Sequence, residues 1–274
     1  MSNLNVSSFR KLHAGPSLLC LPNAWDAGSA SLIQSLGAFA VATTSAGVAW
    51  TLGYRDGRSL PPQEAINAAS RMVRAVSVPV SIDIENGYFD DPKTVATTVQ
   101  RLVDIGIAGI NIEDGRDDPS LLAAKIEAIR QALASTGGDI FINARTDVFL
   151  ASLVEPARLA EETIRRGRLY AAAGADGLFV PGLRGEDDIS SVVAGVALPV
   201  NVMAWAGLAN ASRLERLGVR RLSAGSAIPQ AAWQTAEGLI RGLLETGDSR
   251  PLLSSSKPFG ELQQLFPAFR PAVL

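Results

Sequence analysis

The residues able to do chemistry in this 274-residue chain gather in a few short stretches. Asp83-Ile84-Glu85 carries two carboxylates two positions apart, and Glu113-Asp114 adds an adjacent pair. Asn143-Ala144-Arg145-Thr146-Asp147 adds an amide, a guanidinium and a further acid. Asn201 and Ser223-Ala224-Gly225-Ser226 are polar insertions in apolar sequence, and Thr43-Thr44-Ser45-Ala46-Gly47 closes another apolar run. In a strand, residues i and i+2 share a face, so Asp83 and Glu85 point to one side. Acids converging on an apolar mouth repel, by about 4 kcal/mol for two unit charges ~4 Å apart at an effective dielectric of 20. Arg145 offsets one charge, and a divalent cation is the natural second offset. Oxygen donors without His or Cys favour Mg²⁺, with Mn²⁺ as the alternative, over Zn²⁺. Any one of these acids also reads as a strand-end cap or a surface ion pair. As a set they do not. Asp114 and Asp147 are assigned to supporting the loop or backing the inner residues.

The elements that must position these groups alternate along the chain. Strands are predicted at 18–22, 38–44, 78–84, 109–113, 140–145, 177–181, 199–204 and 219–225. Helical patterns are predicted at 27–36, 62–76, 91–105, 120–134, 156–173, 186–194, 208–217 and 227–245. Pro62 and Pro92 mark helix starts, and Gly37, Gly106, Gly174 and Gly218 follow helix ends. Strand and helix alternating eight times imply parallel strands closed into a (β/α)8 TIM barrel, an α/β fold. An open doubly wound sheet is the structural rival, but no GxGxxG follows the first strand. The chain reads as one domain over 1–274, with the barrel at about 18–245 and a Pro- and Ser-rich tail at about 248–274. The tail's apolar residues Leu262, Leu265, Phe266 and Phe269 suit packing on the barrel or on a neighbouring subunit. In such barrels the chemistry sits at the C-terminal strand ends, where the polar stretches fall.

Bulk composition narrows the functional classes. The net charge is −2, and no Lys/Arg cluster offers a nucleic-acid footprint. His13 and Cys20 are the only residues of their types. No intramolecular disulfide can form, and His-based metal sites and Ser-His-Asp triads lack material. His13, in a polar N-terminal stretch, is expected at the surface, and Cys20, in the first strand, as an inert core residue. No signal peptide is evident, and the uncharged stretches 35–54 and 189–212 read as buried strands with their loops. These features predict a cytoplasmic protein with no membrane or nucleic-acid partner.

Seven stretches in register extend this reading: PNAWDAGSA (22–30), TTSAGVAWTLGYRDG (43–57), SIDIENGY (81–88), GINIEDG (109–115), INARTD (142–147), PVNVM (199–203) and RLSAGSA (221–227). Through them the chain resembles the isocitrate lyase/phosphoenolpyruvate mutase superfamily. The resemblance implies a Mg²⁺ site with Asp83 as principal ligand and Glu85 and Glu113 as the other carboxylates. It implies that backbone N–H groups of Ser45, Ala46 and Gly47 receive a substrate carboxylate, that Arg145 pairs with that substrate and that Asn201 lines the site opposite. Asp56 looks like the acid on the mobile loop after strand two. Members act on 2-oxo acids, or compounds that yield them, through an enolate. Relatives are usually tetramers that exchange a C-terminal helix, so a homo-oligomer, dimer or tetramer, is expected.

One departure limits the resemblance. Lyases of the family carry a Lys-Lys-Cys-Gly-His or Lys-Arg-Cys-Gly-His loop after strand four. This chain continues EDGRDDPSLLAAKIEAI, without Cys or His, and lacks the Asn and Ser pair of the mutases. Oxaloacetate decarboxylation suits the residues better than isocitrate or methylisocitrate cleavage, because losing CO₂ needs no side-chain base. Hydrolysis of oxaloacetate or phosphonopyruvate uses the same residues, and a non-catalytic carboxylate-binding relative is a third reading. A Schiff-base aldolase needs a strand-end lysine, and Lys11, Lys93, Lys125 and Lys257 all lie outside the predicted strands.

Overall fold

Every predicted strand forms, and the first, β1 (Leu19–Leu21), is continued beyond its predicted end at Pro22 by a second piece, β2 (Asn23–Ala24). The computed structural model describes residues 2–266. Pro22 has no N–H to donate, so ladder pairing breaks there. The other strands are β3 (Val41–Thr43), β4 (Val80–Asp83), β5 (Gly109–Glu113), β6 (Phe141–Arg145), β7 (Gly177–Phe179), β8 (Val200–Met203) and β9 (Arg221–Ser223). All pairings are parallel, in the order β1-β9-β8-β7-β6-β5-β4-β3-β2. Because β1 and β2 flank one proline, the two ends of that order are one strand and the ring closes. The nine segments are thus the eight predicted strands of the barrel.

Alternation decides what faces inward. In β5 the even residues Ile110 and Ile112 join the core between strands and helices, and in β6 Ile142 and Ala144 do the same. That leaves Asn111 and Glu113, and Asn143 and Arg145, on the inner side. Register then aligns Asp83 with Asn111, Asn111 with Asn143, and Glu113 with Arg145. The enclosing helices include α2 (Ala27–Ser35), α3 (Ser45–Thr51), α4 (Pro62–Ala75), α5 (Pro92–Asp104), α6 (Pro119–Thr136), α7 (Leu159–Ala173), α8 (Glu186–Gly195) and α9 (Ala211–Arg216). α3 was not predicted: its seven residues follow β3 too closely to show a helical period.

The expectation for His13 is corrected. Residues Ser2–Ala14 form the first helix, α1, whose Val6, Phe9 and His13 lie on one buried face. The ring of His13 stacks on Phe141 at 4.3 Å and meets Phe9 edge-on at 4.7 Å. Gly109 makes room for this helix, since a Cβ there would lie 2.7 Å from Phe9. Burial, with the nearby Arg221 guanidinium, pushes the imidazole pKa down to about 3. The unfolded imidazole titrates near 6.5, so between these values the unfolded chain binds the additional proton. This contribution is complete above about pH 6.5 and is lost as pH falls, by about 2 kcal/mol between pH 7 and pH 5. Urea denaturation at both pH values is expected to show that loss in the wild type and not in His13→Phe. Equal losses in the two proteins would contradict a buried neutral imidazole.

Cys20 is also corrected, because it is exposed. The last barrel helix, α10 (Ala227–Thr246), buries only Pro229 and leaves Trp233, Ile240 and Leu244 exposed. It therefore does not fold back to cover the strands beside it. A groove of about 970 Å³ runs along it, lined by Trp50, Trp233, Ile240 and Leu244 among others. Two short helices follow, α11 (Arg250–Ser254) and α12 (Phe259–Gln264), with Leu262 and Phe266 largely exposed. Phe269 lies outside the described residues. No described helix is long and apolar enough to cross a membrane.

Candidate active site

Asp83 closes β4 and is held from three sides. Its N–H donates to Thr43 Oγ1 at 2.9 Å, and its carboxylate accepts from Glu85 N at 3.1 Å and Asn111 Nδ2 at 3.2 Å. The chain then turns sharply, with positive φ at Glu85 (51°), Gly87 (89°) and Tyr88 (65°). Such angles are uncommon for residues other than glycine and persist only where surroundings enforce them. Buried Lys125 supplies one constraint, donating from Nζ to the Asn86 carbonyl at 2.9 Å. The turn buries Glu85, whose carboxylate accepts from the Arg58 backbone N–H.

Arg58 belongs to the loop 52–61 between α3 and α4, and its guanidinium pairs with Asp117 at 2.8 Å. The loop after β3 is therefore fastened both to the acids and to the short loop after β5. Asp56 is exposed on it, close enough to Glu85 to raise that carboxyl's pKa.

Glu113 and Arg145 sit side by side at the ends of β5 and β6, 2.7 Å apart. Asp147 grips the other edge of the guanidinium, through Nε at 2.7 Å and Nη2 at 3.0 Å. Phe179 lies beneath it at 5.7 Å. Among the described residues, Nε, Nη1 and Nη2 each meet one carboxylate oxygen, which leaves two of the five N–H groups for a ligand. Burial alone would lower the pKa of Arg145, but Glu113 and Asp147, with Asp83 beyond, hold it above the ordinary range.

The electrostatics bear on whether a divalent ion suits these residues. Burial, together with Asp83, Asp147 and Glu85, raises the Glu113 carboxyl above the usual range against the pull of Arg145. Burial likewise raises Glu85, with Asp83 and Asp56 adding to it. The cluster holds more negative charge than its arginine cancels, which is what a cation relieves. Among the described residues, no three His, Cys, Asp or Glu side chains form a ready-made cage. Glu113 is turned to Arg145, and Glu85 to Arg58. Mg²⁺ tolerates this, since it keeps several waters and takes only one or two carboxylates directly. The donor set is compatible with Mg²⁺, and Asp83, Glu85 and Glu113 are the residues that would hold it.

The other predicted positions divide. Ser45 and Ala46 occupy the first turn of α3, where backbone N–H groups have no partner within the helix. The Gly47 N–H points to the Thr44 hydroxyl at 3.5 Å, a weak bond. A Cβ on Gly47 would sit 2.8 Å from both Thr44 and Trp25, so only glycine fits. Asn201 is brought into the barrel interior instead. It is 1% exposed, its Nδ2 lies within hydrogen-bond distance of Val202 O, Arg221 O and Ser223 Oγ, and its Oδ1 accepts from Asn143. It completes a buried amide ladder, Asn111-Asn143-Asn201, that ends on Asp83.

Several residues escaped sequence reasoning. Arg221 is fully buried inside the barrel, and its Nε and Nη1 have no hydrogen-bond partner among the described residues. Arg166 and Tyr170 of α7 reach Asp114. Their signal was present: Glu162, Arg166 and Tyr170 recur every fourth residue, one polar stripe on a helix face.

This geometry has counterparts. The family model described as phosphoenolpyruvate phosphomutase matches residues 9–244. An uncharacterized protein of Mycobacterium tuberculosis is 37% identical over 264 residues, covering 93% of this chain and 95% of its own. An oxaloacetate decarboxylase of Pseudomonas entomophila is 30% identical over 259 residues, covering 88% of this chain and 86% of its own. A crystal structure from Burkholderia cenocepacia superposes with a TM-score of 0.82 at 41% identity, covering 86% of this chain and 99% of that one. The closed parallel barrel, the motifs at its strand ends and these likenesses agree: the chain belongs to the phosphoenolpyruvate mutase/isocitrate lyase superfamily.

Proposed function

We propose that this protein is a Mg²⁺-dependent carbon–carbon lyase acting on a small 2-oxo diacid, with oxaloacetate decarboxylation as its reaction. The observation that carries this reading is the pairing of Arg145 with an over-charged acid cluster at the strand ends. It is supported by the short passage from Glu113 to the start of α6 at Pro119, which has no Cys or His for a side-chain acid or base.

Bound Mg²⁺, or Mn²⁺ in its place, supplies a Lewis acid for the oxygen that gains charge. The chain's own residues do the rest. The two free N–H groups of Arg145 take a substrate carboxylate and fix its plane. The N–H groups of Ser45 and Ala46 take a second carboxylate oxygen, and Gly47 lets α3 approach that closely. With both ends held, the C–C bond to the departing carboxylate is oriented before charge develops. Its electron pair becomes the C2–C3 π bond as CO₂ leaves, the C2 oxygen takes the charge, and the pyruvate enolate then takes a proton from water at C3, so no side-chain base is needed. The loop carrying Asp56 and Arg58 covers the acids and limits water there. Asn201 acts from below, through the amide ladder that ends on Asp83.

Assay of oxaloacetate, phosphonopyruvate and methylisocitrate, each with Mg²⁺ and with EDTA, tests the reading. CO₂ and pyruvate from oxaloacetate, only with the metal, is the expected result. Acetate with oxalate, or free phosphate, would assign a hydrolase, and turnover of none would leave a carboxylate-binding relative.

The protein acts in the cytoplasm as a homo-oligomer that exchanges α10 between subunits. The reading is supported by the apolar residues Trp233, Ile240 and Leu244 that α10 leaves uncovered, and by the exposed outer side of Cys20. Light scattering is expected to give a dimer or tetramer, and a monomer would refute it.

A further inference from the structure

Asp114 is fully buried, and no substrate can touch it. Its Oδ2 accepts from Tyr170 Oη at 2.5 Å and from Arg166 Nη1 at 2.8 Å. Its Oδ1 accepts from the backbone N–H of Asp147 at 3.0 Å. Arg166 is held in turn by Glu162, whose carboxylate takes its Nε at 2.7 Å. Gly167 lets α7 approach, since a Cβ there would lie 2.8 Å from Leu178 and Val196. A buried ion pair is weak evidence for stability, because desolvation offsets most of its Coulomb gain. What this one does is fix a direction. Asp114 has two donors at its back and spends its remaining oxygen on one peptide N–H, that of the residue gripping Arg145.

We propose that Asp114, braced by Arg166 and Tyr170, is the positioning residue for Arg145. It pins the Asp147 backbone, the Asp147 carboxylate then takes Nε and Nη2 of Arg145, and the guanidinium is left in one orientation with two N–H groups facing the strand ends. Without the brace, Asp147 and Arg145 still meet, but over a range of orientations, and a planar carboxylate is then bound by fewer simultaneous hydrogen bonds. The inference rests on the reading of Arg145 as the carboxylate-binding residue, and the variants below separate the two.

The probe is oxalate, a planar dicarboxylate of the size of the pyruvate enolate, titrated calorimetrically with Mg²⁺ present. Tyr170→Phe keeps the packing and removes one donor from Asp114. It is expected to weaken oxalate binding about tenfold, the order of one charge-assisted hydrogen bond, with Mg²⁺ affinity unchanged and KM raised more than kcat is lowered. Asp147→Asn, which lies closer to the guanidinium, is expected to weaken oxalate further. A second route covers a folding defect in Tyr170→Phe: thermal melts identify it, and Asp147→Asn then carries the test. If Arg145→Lys weakens oxalate but Tyr170→Phe and Asp147→Asn do not, the brace is refuted and the substrate reading stands. If Arg145→Lys leaves oxalate binding unchanged, the substrate reading itself fails.

Discussion

Asp83→Ala is expected to lower metal-dependent turnover by about 10³-fold or more while leaving the fold intact. The magnitude follows from losing the several kcal/mol of charge stabilisation that a Lewis-acidic cation contributes. The fold survives because only two donors lose their acceptor, the buried Glu85 N and Asn111 Nδ2, at about 1–3 kcal/mol each. Removing one acid also relieves the repulsion that raises Glu85 and Glu113. Two measurements decide the matter together. Mg²⁺ is expected to raise the wild-type melting temperature and to leave that of the variant unmoved, as ligand linkage requires. Activity in the variant equal to wild type, or a Mg²⁺-induced shift of the same size, would remove Asp83 from the site.

Arg145→Lys is expected to raise KM on the order of 10²-fold, because an ammonium is a point charge without the planar fork. One ammonium cannot serve Glu113, both oxygens of Asp147 and a substrate carboxylate together. Arg145→Met is the harsher case. It leaves Glu113 and Asp147 facing each other in a buried mouth without their counter-charge, and breaking a buried pair from one side costs about 3–5 kcal/mol. Urea denaturation is therefore expected to find Arg145→Met strongly destabilised and Arg145→Lys mildly so. Unaltered KM and kcat in Arg145→Lys would count against its role in holding substrate.

Part of this site is legible in the amino-acid sequence. GINIE and FINAR display their alternation openly, so the inward turn of Asn111, Glu113, Asn143 and Arg145 follows from period two alone. The loss of the cysteine loop is likewise a matter of counting residues between Glu113 and Pro119. His13 and Cys20 were misplaced for one shared reason. Their burial depends on which helix packs where, and neither the docking of the N-terminal helix under the barrel nor the departure of α10 from it is written in local pattern. A polar stretch with one apolar face needs a floor to cover, and that floor, Phe141 and Gly109, comes from strands a hundred residues away.

The barrel, the strand ends that carry the acids and the family follow from the order of the amino acids, because period, spacing and motif order are local or linear properties. How the charges are shared depends on the folded chain. It turned Glu113 toward Arg145, gave Glu85 the Arg58 N–H, sank Asn201 into an amide ladder and placed Asp114 behind Asp147. These are pairings between residues far apart in the chain, and hydrogen bonds act over about 3 Å. Linear order does not specify distances of that size, which arise only once eight strands and their helices have closed.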